Sequence, residues 1–445
     1  MAQNARVAVV QALAELHRRQ GYSNIMLDQL LRTAELSEAD KALASRLFYG
    51  VIERRLTLDY VLSKASSVPL RKMHPVVRET LRVAVYQLLF MDKVPPSAAV
   101  NEAVSGVRRL KQGQASGFVN GVLRGIVRKL DTVWDELPEG DAGLSVRHSC
   151  PTELIAFWRE AYGDAVAERL VSSINDTAPT FLRVNTLQTT DEAFAARLSD
   201  LDVEYETFTD LPHCFLLKSG YFANKLASSE KNWYYYQDKA SQWACYALGA
   251  KPGEAIADVC AAPGGKSFTA SQMLNNTGRV LACDIYPAKC ETIEQRAAEL
   301  GITVIRTAPR DAAALPPASL CGSFDRVICD VPCSGLGVIR RKPEIRYKAM
   351  AEFAELPTLQ YRILECSAQL VKSGGVLQYS TCTLNPAENE AIVERFLREH
   401  PEFSPRILPL DACFAAAGLA PSHYITLLPP VHGTDGFFIA GFCKQ

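Results

Sequence analysis

Two cysteines stand where a thiol could do chemistry. Cys382 lies in "QYSTCTLNPAENE", residues 378–390, where an apolar run ends and a helix is expected to begin. Cys333 lies in "CDVPCSGLG", residues 329–337, at the end of another apolar run. A thiol attacks as its thiolate, and the partial positive charge of a helix N-terminus favours that form. Asn385, Pro386 and Glu388 read as the N-cap, first-position proline and capping glutamate of that helix. Cys382 is therefore expected within a turn of a helix N-terminus. Two thiols on adjacent strand ends facing one cleft suit a covalent mechanism, and this helix context favours Cys382 as the attacker.

Carboxylates and glycines fall at the other strand ends. "DVCAAPGGKS" brings Cys260, Ala261, Ala262 and Pro263 to Gly264 and Gly265, which let backbone approach a ligand, and Lys266 then opens a helix. This is neither the phosphate-loop pattern nor the dinucleotide glycine pattern, which argues against a nicotinamide dehydrogenase. Asp284 ends the next apolar run in "ACDIYPAK", where an acidic residue commonly bonds ribose hydroxyls. Asp311 follows the third run in "TAPRDAAAL" and is able to accept from an adenine amino group; Asp330 ends the fourth. Each carboxylate alone suits a helix cap equally well. Together they outline a site for an adenosine-containing cofactor with no pyrophosphate. Arg340, Arg341, Lys342 and Arg346 follow the Cys333 loop, and their place beside the site favours phosphate contact over a solvated loop.

Such strand ends need a sheet. From residue 236 the chain alternates apolar strands ("EAIADV", "RVLACDI", "ITVIRTA", "FDRVICDV", "GGVLQYST") with helical patterns, as in a parallel sheet covered on both faces. Ligands in such sheets bind outside the strand carboxyl ends. "YITLLP" and "GFFIAGF", joined by a turn-rich link, should pair antiparallel at one edge. That makes a seven-stranded, mostly parallel α/β domain over residues 236–445. Residues 141–235 read as a helical linker and a small α+β unit ("TFLRVNT", "DEAFAARLSDL", "VEYETF", "HCFLLK") spanning roughly 178–220.

Residues 1–140 read as a helical bundle. Val9, Ala12, Leu13 and Leu16 share one face, Ser37 and Asp40 sit at capping-box spacing, and Pro75 takes a first helical position. Residues 1–130 hold 20 Lys and Arg against 10 Asp and Glu, so +10, while the remainder holds 28 against 39, so −11. A basic front suggests a polyanionic partner. Arg108, Arg109, Lys111, Arg124, Arg128 and Lys129 crowd its last two helices.

"DVCAAPGGKS", "CDVPCSGLG" and "YSTCTLNPAENE", with "YYYQDKASQWAC" and "GTDGFFIAGF", resemble the signature motifs of S-adenosylmethionine-dependent RNA cytosine-5 methyltransferases. The basic front, with "PPSAAVNEAV", is similar to the NusB-type RNA-binding domain, which points to the bacterial branch acting on 16S rRNA. The resemblance implies a Rossmann-like class I methyltransferase domain, an RRM-like insert and a NusB-like bundle. It also implies a cytosine of the 967 type as target. Cys260, Ala261, Ala262, Pro263, Gly264, Gly265, Lys266, Asp284, Asp311 and Asp330 would hold the cofactor. Cys382 would be the nucleophile, Cys333 would assist release, and Asp330 would support addition to the base. Val331, Leu336 and Thr383 depart from the family's usual Ala, Thr and Ser, but none removes a reacting group.

Thirteen cysteines without a C-x-x-C or paired histidines give no zinc pattern, and no apolar run is long enough for a membrane helix. The N-terminus reads as an amphipathic helix, not a signal peptide, so a cytoplasmic location is expected; the oligomeric state is not legible, and a monomer is the default. Two rivals stay open at this point. One is a DNA cytosine-5 methyltransferase, whose Pro-Cys cysteine attacks; the other is a non-catalytic RNA-binding factor.

Overall fold

The computed structural model describes residues 4–19, 23–218 and 225–445; the end of the expected α+β stretch, 219–220, and the first three residues lie outside it. The chain forms two compact units, residues 1–176 with 339–348, and residues 177–338 with 349–445. No helix among the described residues is long and apolar enough to cross a membrane.

The first unit is helical. Val9, Ala12, Leu13 and Leu16 of Ala5–Arg19 are buried in one apolar core, as their spacing requires. Ser37 caps Glu38–Glu53 by accepting from the Asp40 amide. The stretch from Ser37 to Ala65 is two helices that break at Arg54. Pro75 opens Pro75–Phe90, followed by Pro96–Arg109 and Ser116–Val127. All six basic residues of these last two helices and their ends are exposed.

Charge is also spent inside this unit. Arg82 donates to both oxygens of Asp59 at 2.7 Å and to the fully buried Glu79 at 2.8 Å. The second charged group in this unit's interior overturns an expectation. Arg346 is not a phosphate-contacting residue: it is 1% exposed and donates to the carbonyls of Glu53 and Ile174 and to Asn175 Oδ1. Its neighbours behave alike. The Tyr347 hydroxyl bonds Ile52 O at 2.8 Å and its ring lies under Arg55, while Glu344 accepts from Ser23, the first residue of Ser23–Thr33. An alternation of Ile339, Pro343, Ile345 and Arg346 among charges looks like a solvated basic loop; the acceptors that bury Arg346 are backbone carbonyls, invisible in sequence. Arg341 and Lys342 stay exposed.

The second unit holds two sheets. Thr180–Val184 (β1), Tyr205–Thr207 (β2), Cys214–Leu217 (β3) and Tyr234–Tyr236 (β4) form an antiparallel sheet in the order β2-β3-β1-β4. Leu182 and Val184 pack on Phe194 and Leu198 of Asp191–Asp200, whereas Phe181 and Cys214 face Trp243 and Ala247 of Lys239–Leu248. Both faces of this sheet are therefore covered. The fourth strand, "YYY", escaped the sequence reading because three tyrosines show no alternation.

The large sheet contains Ala255–Asp258 (β5), Arg279–Asp284 (β6), Ile305–Pro309 (β7), Phe324–Asp330 (β8), Val371–Thr381 (β9), Phe403–Pro405 (β10), Tyr424–Leu427 (β11) and Phe437–Lys444 (β12). Its order is β10-β12-β9-β8-β5-β6-β7, with β11 also on β12. The pairs among β5 to β9 are parallel, and β12 runs antiparallel to β9, β10 and β11. The seven expected strands are present, and the three-residue β10 is an eighth, too short to signal itself. Val327, Ile328 and Cys329 of β8 and Leu377, Gln378 and Tyr379 of β9 are all buried, so both faces of these strands are covered.

Candidate active site

The carboxyl ends of β5 and β8 border one cavity. Its volume is about 220 Å³, and Cys260, Ala261, Ala262, Pro263, Gly265 and Lys266 line one side of it. Asp258 and Asp330 complete that wall, facing Tyr236, Gln237 and Ser241. Gly264 has φ +107°, and a Cβ there would lie 2.4 Å from the Phe268 ring. Only glycine fits that turn. The loop is pinned to the sheet by Ala261 N–H donating to Cys283 O at 2.7 Å.

Lys266 and Asp330 form the charged floor. Lys266 Nζ donates to Asp330 Oδ2 at 2.7 Å, and Ser380 Oγ donates to Asp330 Oδ1 at 2.6 Å. Burial alone would push the Lys266 ammonium toward neutrality. The Asp330 charge and hydrogen bond outweigh it and hold its pKa above the ordinary lysine range. Behind them Asp258, 1% exposed, accepts from Ser267 Oγ at 2.7 Å while its Oδ1 has no partner. Burial raises this carboxyl to about 7, against the Ser267 hydrogen bond and with help from the Asp330 charge.

The two thiols are adjacent: Cys333 Sγ and Cys382 Sγ are 3.1 Å apart. The Cys333 pKa is pushed well up, first by its hydrogen bond to Cys382, then by burial and by the Cys382 charge. Either sulfur can donate in this contact. The expected helix start is corrected here. The helix after Cys382 is Glu390–Glu399, and Asn385 to Asn389 form a turn, so Cys382 lies eight residues before the helix. The reason is Glu388. Its buried carboxylate does not cap a helix; it accepts from the Ser334 amide at 2.9 Å, Gln360 Nε2 at 2.7 Å and Asn385 Nδ2 at 2.8 Å. It ties the Cys333 loop to the Cys382 loop. Gly337 adds a second tie, donating to Cys382 O at 3.1 Å and accepting from Gly436 N at 2.9 Å. A Cβ on Gly337 would sit 2.0 Å from Gly436 O, which accounts for glycine in both loops.

Asp284 and Asp311 do not line this cavity, and neither do Cys333 and Cys382. Asp284, at the end of β6, is buried, accepts from Tyr286 N at 3.1 Å and lies 3.6 Å from Lys289 Nζ. Asp311 is exposed beyond β7 and accepts from Ala313 N. Sequence reasoning missed Asp258, Gln237, Ser380 and Glu388 as parts of the site. Asp258 was within reach of the strand-end rule, since it closes β5; the others depend on tertiary pairing.

The donor set suits an adenosyl sulfonium cofactor: a glycine turn closed to any side chain, an orphaned buried carboxylate oxygen, and carboxylates at successive strand ends. An open parallel sheet with such loops defines a class I S-adenosylmethionine-dependent methyltransferase. Family models match in the same sense: 16S rRNA methyltransferase RsmB/F over residues 245–443, the NusB family over 3–128, and an RsmF/B-like ferredoxin-like domain over 150–222. The chain is 34% identical to the "Probable ribosomal RNA small subunit methyltransferase B" of Synechocystis, each covered to 99%. It is 31% identical to ribosomal RNA small subunit methyltransferase B of Sodalis glossinidius, covering 99% of this chain and 98% of that one. The crystal structure of PH0851 superposes with a TM-score of 0.81 at 25% identity, covering 99% of this chain and 98% of that one. The chain belongs to the ribosomal RNA small subunit methyltransferase B family, whose members methylate 16S rRNA from S-adenosylmethionine.

Proposed function

We propose that the chain methylates carbon 5 of a cytosine in 16S rRNA, of the 967 type, by covalent catalysis. One observation carries this: two thiols, neither in a disulfide, 3.1 Å apart beyond the ends of β8 and β9. Carbon 5 of cytosine is a weak nucleophile. Addition of the Cys382 thiolate at carbon 6 makes carbon 5 enamine-like and places negative charge on the N3 and O2 edge. The Lys266 ammonium, oriented by Asp330, stabilises that charge. The bound cofactor supplies the methyl group to carbon 5. Loss of the carbon-5 proton to a base then re-forms the double bond and expels Cys382 as thiolate. The Cys333 thiol, 3.1 Å from that sulfur, would then donate its S–H to the leaving thiolate.

The cofactor would be held by Cys260 to Lys266, Asp258 and Asp330 at the cavity, and by Asp284 and Asp311 at the neighbouring strand ends beyond its lining. The target base must leave its stack to enter the cavity, and the exposed arginines and lysines of the helical front would bind the surrounding backbone. An rRNA substrate assigns the activity to the cytoplasm. Bisulfite sequencing of 16S rRNA from a deletion strain tests the reading. One cytosine should lose protection and regain it on complementation; unchanged protection at every cytosine would sink the carbon-5 assignment.

A further inference from the structure

Two thiols placed to share one reaction are, by the same placement, close to a disulfide. Cys333 Sγ and Cys382 Sγ stand 3.1 Å apart. An S–S bond spans about 2.05 Å, so closure asks for about 1 Å of approach. The chain is already joined on both sides of the pair. Before the cysteines, Asp330 and Ser380 are in parallel register, and Val331 N donates to Ser380 O at 3.1 Å. Immediately after them, Ser334 Oγ and Thr383 Oγ1 are bonded at 2.6 Å, and Gly337 N donates to Cys382 O at 3.1 Å. The remaining approach therefore falls on side-chain rotation, with the loops held where they are. Both cysteines are partly exposed and the adjacent Pro332 is exposed, so a small solute can reach the sulfurs. Cys245, Cys329, Cys366 and Cys413, by contrast, are buried in the core.

We propose that Cys333 and Cys382 close reversibly into a disulfide when the protein meets a hydroperoxide, which makes this pair a redox switch. One thiolate of the pair attacks a peroxide oxygen. The O–O bond breaks, a sulfenic acid forms, and the displaced hydroxide leaves as water after taking up the thiol's proton. The second sulfur then attacks the sulfenic sulfur. The S–S bond forms, the S–O bond breaks, and a second water leaves with the second thiol's proton. Two thiols have given two electrons to one peroxide. A dithiol reductant reverses this by exchange, returning two electrons and two protons. A sulfenic acid with no neighbouring thiol goes on to sulfinic acid, which is not recovered. Each cysteine therefore protects the other from that loss. Formation of the link stands on the sulfur geometry alone; that it stops methylation rests on the role proposed above for Cys382.

The test treats the full chain with a few equivalents of hydrogen peroxide, alkylates the remaining thiols and maps peptides without reduction. The peptides carrying Cys333 and Cys382 should be found joined. Methylation of a 16S rRNA fragment should fall at least tenfold in step with the joined fraction, and dithiothreitol should restore it to within twofold. Cys321→Ser, which removes an exposed thiol in the turn before β8, should change neither result. In Cys333→Ser the same dose should give no joined peptide and should leave Cys382 as sulfinic acid, read by mass. Cys333 and Cys382 recovered separately alkylated from oxidised wild type would overturn the inference and leave the proposed function standing. A joined pair with methylation undiminished would overturn the switch, and with it Cys382 as the attacking thiol. If the untreated chain methylated no RNA, the proposed function would fall, while the joined peptide would still decide the disulfide.

Discussion

Glu388 is the joint on which both thiols depend, and glutamine at this position tests the reasoning quantitatively. The carboxylate is fully buried and accepts three donors: the Ser334 amide and Gln360 Nε2 on Oε2, and Asn385 Nδ2 on Oε1. Glutamine keeps the shape but only one accepting oxygen. Its best placement keeps the two Oε2 bonds and turns the amide toward Asn385, setting donor against donor. One buried donor left unsatisfied costs about 1–3 kcal/mol, and the two remaining bonds lose their charge assistance. Glu388→Gln should therefore lower unfolding free energy by about 2 kcal/mol in urea titration. Ser334 and Asn385 adjoin the two cysteine loops, so loosened thiol geometry should also slow single-turnover methylation. If the whole 2 kcal/mol fell on the transition state, the loss would be roughly 30-fold, whereas cofactor affinity by calorimetry should hold. A variant with wild-type stability and a rate within twofold would refute Glu388 as the tie between the loops.

Other outcomes follow from single contacts. Gly264→Ala should fold, as circular dichroism would show, yet lose at least tenfold in S-adenosylmethionine affinity, because its Cβ would meet the Phe268 ring at 2.4 Å with φ at +107°. Asp258, held at about 7 chiefly by burial, binds a proton more tightly folded than unfolded, so its contribution to stability is lost as pH rises from about 4 through 7. Asp258→Asn should remove that slope and be more stable than wild type, relative to pH 5, when urea midpoints are compared at pH 8. Arg346→Met leaves buried carbonyls of Glu53 and Ile174 without a donor, and should cost the helical unit about 3 kcal/mol; a midpoint unchanged within error would contradict the burial described.

The loops proposed as catalytic were more legible in the sequence than their supports. Residues 260–266, Asp330, Cys333 and Cys382 could be placed at or just beyond strand ends because each strand shows as an apolar run. Asp258 obeys the same rule. Arg346 and Glu388 misled for one physical reason: a charged residue near turn-forming neighbours resembles a solvated cation or a helix cap. Their true partners are backbone carbonyls and amides from segments as far away as 293 positions for Arg346 and Glu53. β4 and β10, three residues each, are too short for periodicity to register.

The order of the two cysteines is the centre of the account, and trapping the protein–RNA bond tests it most directly. Each of Cys382→Ala and Cys333→Ala would be incubated with S-adenosylmethionine and target RNA, then run on a denaturing gel. Cys382→Ala should give neither methylation nor a covalent band. Cys333→Ala should accumulate a protein–RNA adduct that is resolved slowly or not at all. An adduct that forms in Cys382→Ala and requires Cys333 would reverse the assignment and make Cys333 the nucleophile.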